Sequence, residues 1–106
     1  MTVEEVKKID FIGTDKETDN IILTISDHLQ WDNEHIYILQ EKINSYLAFI
    51  ETGQIYEDYP KSKGKKIVIE IIAKYPFNDE AIEFLEKVKP VVEGAGFGFN
   101  YKILEK

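Results

Sequence analysis

The chain has 106 residues, 43% of them hydrophobic and 31% charged, which is the composition of a folded globular protein and suits one domain over residues 1–106. Its 20 acidic and 13 basic residues give a formal net charge of −7, and every basic residue is a lysine. Because nucleic-acid binding relies on phosphate neutralisation, and base readout favours the arginine fork, we expect no nucleic-acid partner.

The sequence also limits the chemistry and the location of the protein. It contains no cysteine, which excludes disulfides, thiolate nucleophiles and sulfur-ligated metals. No segment approaches the roughly 20 apolar residues of a membrane span, and the first residues lack the apolar stretch of a signal peptide. We therefore expect a cytoplasmic protein that does not bind a membrane.

Alternating apolar and polar residues predict four strands. The predicted strands are Val6–Gly13, Ile21–His28, Ile67–Tyr75 and Phe97–Ile103. In the first strand, Ile9 and Phe11 fall on the apolar face. The third strand must end at Pro76, which has no N–H for the hydrogen-bond ladder.

Two segments have the period of amphipathic helices. The apolar stripe of the first helix consists of Ile36, Leu39, Ile43, Leu47 and Ile50, and that of the second of Ile82, Leu85, Val88 and Val92. Asp32 and Asn78 are the predicted N-caps, and Gly53 suits a left-handed C-cap. Phe77 and Ile82 are spaced to pack together as a hydrophobic staple.

The element order ββαβαβ predicts an α/β (α+β) two-layer sandwich, with two helices on one face of a four-stranded mixed sheet. Right-handed crossovers on one side predict the strand order 1-2-3-4, with the first strand antiparallel to the others. The segment Gln54–Lys65, predicted to be irregular, could instead carry the chain back and reverse the third strand. Both topologies remain open at this point.

Five segments of the chain carry a family resemblance: IDFIG at residues 9–13, LTISDHLQW at 23–31, LQEKIN at 39–44, AKYP at 73–76 and EGAGF at 93–97. In these segments the chain resembles a family of small bacterial proteins known as domain of unknown function 6572. It extends over nearly the whole chain and implies a bacterial single-domain protein. The family has no assigned biochemistry, so the resemblance implies no activity.

The densest polar cluster spans residues 27–35, between the second strand and the first helix. It contains Asp27, His28, Trp31, Asp32, Glu34 and His35. One interpretation is structural, with the aspartates capping local backbone and both histidines at the surface. The other is a metal or acid–base site. The cluster lacks the His-x-x-x-His spacing that places two imidazoles on one helix face, so we predict no metal site here.

Two further features are candidate contact surfaces. The segment after the first helix contains Tyr56, Glu57, Asp58 and Tyr59, a combination suited to a protein interface, although both rings could instead close the core. On the uncovered sheet face, the alternation places the aliphatic residues Ile12, Ile22, Val68 and Ile72. Such a patch marks a partner surface or a homodimer if its members adjoin, and is otherwise ordinary.

No enzymatic or cofactor motif is visible. The glycines of residues 94–98 follow a helix and precede a strand, the reverse of the dinucleotide fingerprint, so we expect no cofactor. No serine lies in a Gly-x-Ser-x-Gly context. Whether the protein is an enzyme stays open, but these absences favour a binding protein.

Three functions remain: a protein-interaction module, a small-ligand or metal-binding domain, and an enzyme. The charge distribution favours the interaction module. Residues 1–60 hold 13 acids and 4 lysines, whereas 61–106 hold 7 acids and 9 lysines, an asymmetry that would attract a basic partner. We therefore predict a non-catalytic protein-interaction module, of which an immunity protein against a basic nuclease is one form. The predicted contact residues are Asp27, His28, Trp31, Asp32, Tyr56, Glu57, Asp58 and Tyr59. The alternatives are a small-ligand or metal-binding domain centred on Asp27–His35, and an enzyme with His28 or His35 as base.

Overall fold

The computed structural model describes residues 11–28 and 33–104. Within them the strands are β1 (Phe11–Thr14), β2 (Ile21–Asp27), β3 (Ile67–Ala73) and β4 (Gly98–Ile103). The helices are α1 (Asn33–Glu51), α2 (Gln54–Asp58) and α3 (Asp79–Gly94), and a 3₁₀ turn covers Pro60–Ser62. Residues 6–10 of the predicted first strand, and the predicted cap Asp32, lie outside the described residues.

The strands form one mixed sheet in the order β1-β2-β3-β4. β1 is antiparallel to β2, whereas β2, β3 and β4 are parallel. The predicted α+β class and strand order are therefore confirmed. The alternative with a reversed third strand is wrong, because β2 and β3 run parallel from the Ile21–Ile67 pair to the Asp27–Ala73 pair.

The segment after α1 is more regular than the sequence predicted. Gly53 has the expected left-handed conformation (φ 83°), and its N–H donates to the Ile50 carbonyl at 3.1 Å. Instead of an irregular loop, α2 and the 3₁₀ turn follow. Ile55 is fully buried, so α2 forms because one apolar side chain anchors it to the core. The single isoleucine gave no helical period to detect.

The hydrophobic core lies between α1, α3 and one face of the sheet. Its buried strand residues include Ile21, Leu23, Ile25, Ile67, Ile69, Ile71 and Phe99, and its helix residues include Leu39, Ile43, Tyr46, Ile50, Leu85 and Val92. Alternate residues of a strand share a face, so both long helices cover the same face of the sheet, as predicted. Leu47 is only half-buried at the edge of this core.

At the start of α3 the predicted N-cap is confirmed. The predicted apolar contacts there are confirmed only in part. The side-chain carbonyl of Asn78 accepts a hydrogen bond from the Ala81 N–H at 2.8 Å, which satisfies a free donor of the first turn. Phe77 packs against the core. Ile82, however, is 43% exposed, and the neighbouring Ala81 takes the buried position at the start of the apolar stripe.

The prediction of which β1 residues face the core and which face the open side is wrong by one position. Ile12 pairs with Leu23 and packs against the core, so it lies on the helix-covered face and not on the open one. Phe11 pairs with Thr24 on the open face and is 61% exposed. Phe11 and Ile12 are adjacent and both apolar, so the alternation alone could not fix which one faces the core.

Across the open face, one row of paired residues runs through all four strands: Gly13, Ile22, Val68 and Gly98. Ile22 and Val68 adjoin, but Val68 is only 6% exposed, and Ile72 lies four residues further along β3. A glycine stands at each edge of the row. Gly98 is required for space, because a Cβ built on it would lie 2.9 Å from Val68 Cγ2.

Replacing Gly98 with Ala is therefore expected to lower the free energy of unfolding by about 1–3 kcal/mol, through overpacking against a stiff β-branched side chain. Denaturant unfolding measures the change. Gly13→Ala is the matched control, because a Cβ at Gly13 meets no atom within 4 Å. Val68→Ala should cost less stability in the Gly98→Ala variant than in the wild type, because it also relieves the clash, and equal effects at the two glycines would contradict the steric explanation.

Candidate functional site

The polar cluster predicted from the sequence contains a buried Asp–His pair. Asp27 ends β2 and His35 lies in the first turn of α1, and His35 Nε2 is 2.6 Å from Asp27 Oδ2. The two residues are only 1% and 2% exposed. The expectation that both histidines lie at the surface is therefore wrong for His35, whereas His28 is exposed.

This pair joins the end of a core strand to the start of the helix that covers it. An imidazole bound to a carboxylate is also the arrangement by which enzymes orient a catalytic base. A base must, however, reach the proton that it removes. At 2% exposure the His35 ring has no such access, so its geometry favours a structural role. Asp27, one of the predicted contact residues, is itself only 1% exposed.

Two more polar side chains of α1, which the sequence analysis missed, lie inside the fold. Lys42 and Tyr46 are both fully buried. The Lys42 ammonium lies 5.6 Å from the centre of the Tyr46 ring, a cation–π contact, and the Tyr46 hydroxyl donates to the Thr24 carbonyl at 2.7 Å. Lys42 and Tyr46 each lie three positions after a residue of the predicted apolar stripe of the first helix. This helical spacing was the sequence feature that could have indicated their burial.

Burial of Lys42 leaves the outer surface of α1 and α2 with charges of one sign. The exposed charged residues of these helices are Glu34, Glu41, Glu51, Glu57 and Asp58, which we call the acidic surface. Glu34, Glu41 and Glu51 fall within about 100° of arc on the outer side of α1. Tyr37 lies on the same arc and is 70% exposed. No basic side chain is exposed between residues 34 and 58.

The predicted contact residues around α2 divide into two groups. Tyr56 and Tyr59 are half-buried and pack against the core, and the Tyr59 hydroxyl lies 3.1 Å from Thr14 Oγ1 on β1. Glu57 and Asp58 are exposed. The rings thus close the core edge while the carboxylates face outward. Trp31 and Asp32 lie outside the described residues.

A cavity of about 490 Å³ opens on the uncovered sheet face, at the carboxyl ends of β2 and β3. It is lined by Phe11, Thr24, Ser26, Asp27, His28, Ile72, Lys74 and Leu104. The cavity thus adjoins the buried Asp–His pair on the opposite side from α1. Of the predicted residues, Asp27, His28 and Ile72 reach this cavity.

Two shifted pKa values lie away from this cavity. In the turn after β1, the Glu17 backbone N–H donates to the Asp15 carboxylate and lowers its pKa. On β4, desolvation raises the pKa of Tyr101, assisted by the hydrogen bond from its hydroxyl to Glu86. Neither group lines the cavity, so both shifts belong to local structure.

The described part of the chain contains neither a cluster of potential metal ligands nor a helix that could span a membrane. Among residues 11–28 and 33–104, no three His, Asp or Glu side chains group as metal ligands would. Within the same ranges, no helix has the length and apolar character needed to cross a membrane.

The family model that describes DUF6572, a family of unknown function, matches residues 1–105. The chain belongs to this family. The resemblance noted in the sequence is thus confirmed, and the match spans nearly every residue discussed above. No curated protein and no solved structure matched the chain. Membership in DUF6572 assigns no activity, so the function must be argued from the site itself.

Proposed function

We propose that the protein is a non-catalytic interaction module that binds a basic partner protein through the acidic surface of α1 and α2. The observation that carries the proposal is the absence of any exposed basic residue between residues 34 and 58, where five carboxylates are exposed. Lys42, the one lysine of that segment, is fully buried. The surface therefore presents one sign of charge over both helices.

An exposed tyrosine lies on the same surface. Tyr37 occupies the outer side of α1 between Glu34 and Glu41 and is 70% exposed. Tyrosine is enriched among the residues that dominate binding energy at interfaces, because its ring buries a large area and its hydroxyl forms hydrogen bonds. An aromatic residue surrounded by carboxylates suits a partner that presents lysines or arginines around an apolar contact.

A basic nuclease of the toxin type is one partner with this chemistry, which makes an immunity protein one form of the proposed function. Its positive active-site region would be attracted by the acidic surface before contact forms. Raising the ionic strength from about 0.1 M to about 1 M shortens the screening length from about 10 Å to about 3 Å. Association should therefore slow strongly as salt is added.

The test compares two triple variants in affinity capture from source cells at low and high salt. The first variant changes Glu34, Glu41 and Glu51 of α1 to Gln. The matched control changes Glu80, Glu83 and Glu93 of α3 to Gln, which are also exposed and also lie on one helix. Both remove the same charge from the protein.

We expect a partner that the wild type and the α3 control capture at low salt, and that the α1 variant loses. Tyr37→Ala should lower the affinity by about tenfold or more, as is usual for an interface tyrosine that dominates binding. A partner that both triple variants capture equally would contradict the proposed surface. If no protein depends on α1, the interaction function is wrong.

A further inference from the structure

The cavity on the open sheet face has the size and lining of a small-molecule site. We propose that it binds a small organic carboxylate with an apolar body, such as a short aliphatic or aromatic monocarboxylate. Its volume of about 490 Å³ falls in the range of roughly 300–1,000 Å³ that is usual for ligand pockets. It also lies at the carboxyl ends of parallel strands, where α/β sheets commonly bind ligands.

Lys74 supplies the charge that recognises a carboxylate. It follows β3 directly, is exposed, and lines the cavity. Within residues 11–28 and 33–104, no carboxylate lies within salt-bridge distance of its ammonium, which instead lies 5.5 Å from the centre of the Tyr75 ring. Lys102, on the same face of the neighbouring strand β4, already pairs with Glu70 at 3.9 Å.

Thr24 and Ser26 line the same cavity, and a threonine hydroxyl such as that of Thr24 can donate to a carboxylate oxygen. Asp27 also lines it, and its negative charge would oppose an anion. However, the Asp27 side chain is buried, and its Oδ2 lies 2.6 Å from His35 Nε2. The most accessible full charge in the lining is therefore that of Lys74.

Apart from His28, the other described lining residues are apolar, and this apolar part of the cavity requires more than a bare anion. Phe11 is 61% exposed and Leu104 is 58% exposed, and Ile72 lies between them in the lining. A ligand with an aromatic or aliphatic body would cover these side chains. Removing their apolar surface from water would favour binding. The cavity lining offers one lysine, and the sequence contains no arginine. This single positive charge suits a ligand with one carboxylate better than a polyphosphate.

The test is an NMR titration of the isotope-labelled full chain with phenylacetate and hexanoate. We expect saturable shifts of the backbone amides of Thr24, Ser26, Ile72 and Lys74. Phenylacetamide, which has the same ring without the charge, should bind about tenfold more weakly or worse, because it loses a charge-assisted hydrogen bond. Phenethylamine serves as the cationic probe of similar shape.

Two variants with matched controls assign the binding groups. Lys74→Gln should weaken phenylacetate binding by about tenfold or more, whereas Lys102→Gln, which removes the same charge from the same face, should not. Phe11→Ala should weaken phenylacetate binding, while Tyr37→Ala, at an exposed aromatic residue on α1, should leave it unchanged. Both lining residues are exposed, so neither change threatens the fold.

Several results would overturn the proposal. These are shifts that do not saturate, phenylacetamide or phenethylamine binding as well as phenylacetate, equal effects of the two lysine variants, or shifts centred on the groove between α1 and α3. The titration involves no protein partner and the acidic surface lines no part of the cavity. Failure of this proposal is therefore distinguishable from failure of the proposed interaction function.

Discussion

Replacing Asp27 with Leu is expected to lower the free energy of unfolding by about 3–5 kcal/mol, the usual cost of removing one partner from a buried pair. Asp27 and His35 are 1% and 2% exposed, and their side chains meet at 2.6 Å. Without the carboxylate, His35 loses this hydrogen bond in a place that water does not reach, and a buried polar group without its partner is costly. Because whole domains are stable by only about 5–15 kcal/mol, denaturant unfolding will detect the loss easily.

A double-mutant cycle separates the pair from simple repacking. His35→Leu alone should be similarly harmful, whereas the variant with Leu at both positions should lose less than the sum of the single changes, because apolar replacement of a whole buried pair is often tolerated. Asp58→Leu, at an exposed position of α2, is the control and should change stability by less than about 0.5 kcal/mol. Additive single effects would mean that the 2.6 Å contact contributes little.

The parts of the fold that were predictable are those with a local sequence cause. Asn78 precedes an amphipathic segment and caps α3 through its side chain. Gly53 ends the stripe of α1 and takes a positive φ of 83°. The strand order was also predictable from the sequence, because consecutive parallel strands with crossovers on one side allow few arrangements.

The wrong predictions concern adjacent residues, of which only one takes the buried position. Phe11 and Ile12 are both apolar, and the pairing of Ile12 with Leu23 decided which one faces the core. Likewise Ala81 is buried where Ile82 was expected. A one-residue shift reverses the face of a strand, and only the neighbouring strand or helix determines which phase is adopted.

The candidate site was less predictable because its polar residues are buried. His35 and Lys42 have polar side chains, and the sequence treats such groups as solvent-exposed by default. Their burial depends on partners distant in the chain or across it, such as Asp27 for His35 and the Tyr46 ring for Lys42. The open-face cavity likewise requires the ends of several strands to meet, which no local pattern encodes.

The two leucines of the α1 stripe should differ in their contribution to stability, although the sequence treats them alike. Leu39 is fully buried against the sheet. Leu47 is half-buried and lines the groove of about 310 Å³ between α1 and α3. Replacing Leu39 with Ala removes apolar contacts and leaves a cavity that the neighbouring strands cannot fill, so we expect a loss of about 2–5 kcal/mol.

Leu47→Ala should cost only about 1–2 kcal/mol, because solvent already reaches one side of the side chain and no closed cavity is left. Denaturant unfolding of both variants gives the comparison, and unchanged m-values would show that the same surface is exposed on unfolding in each case. Ala48, an exposed residue next to Leu47, offers a control for the helix itself, since Ala48→Gly reports the backbone cost at this turn without loss of packing. If Leu47→Ala is as costly as Leu39→Ala, the groove between α1 and α3 must be closed in solution, and Leu47 belongs to the core.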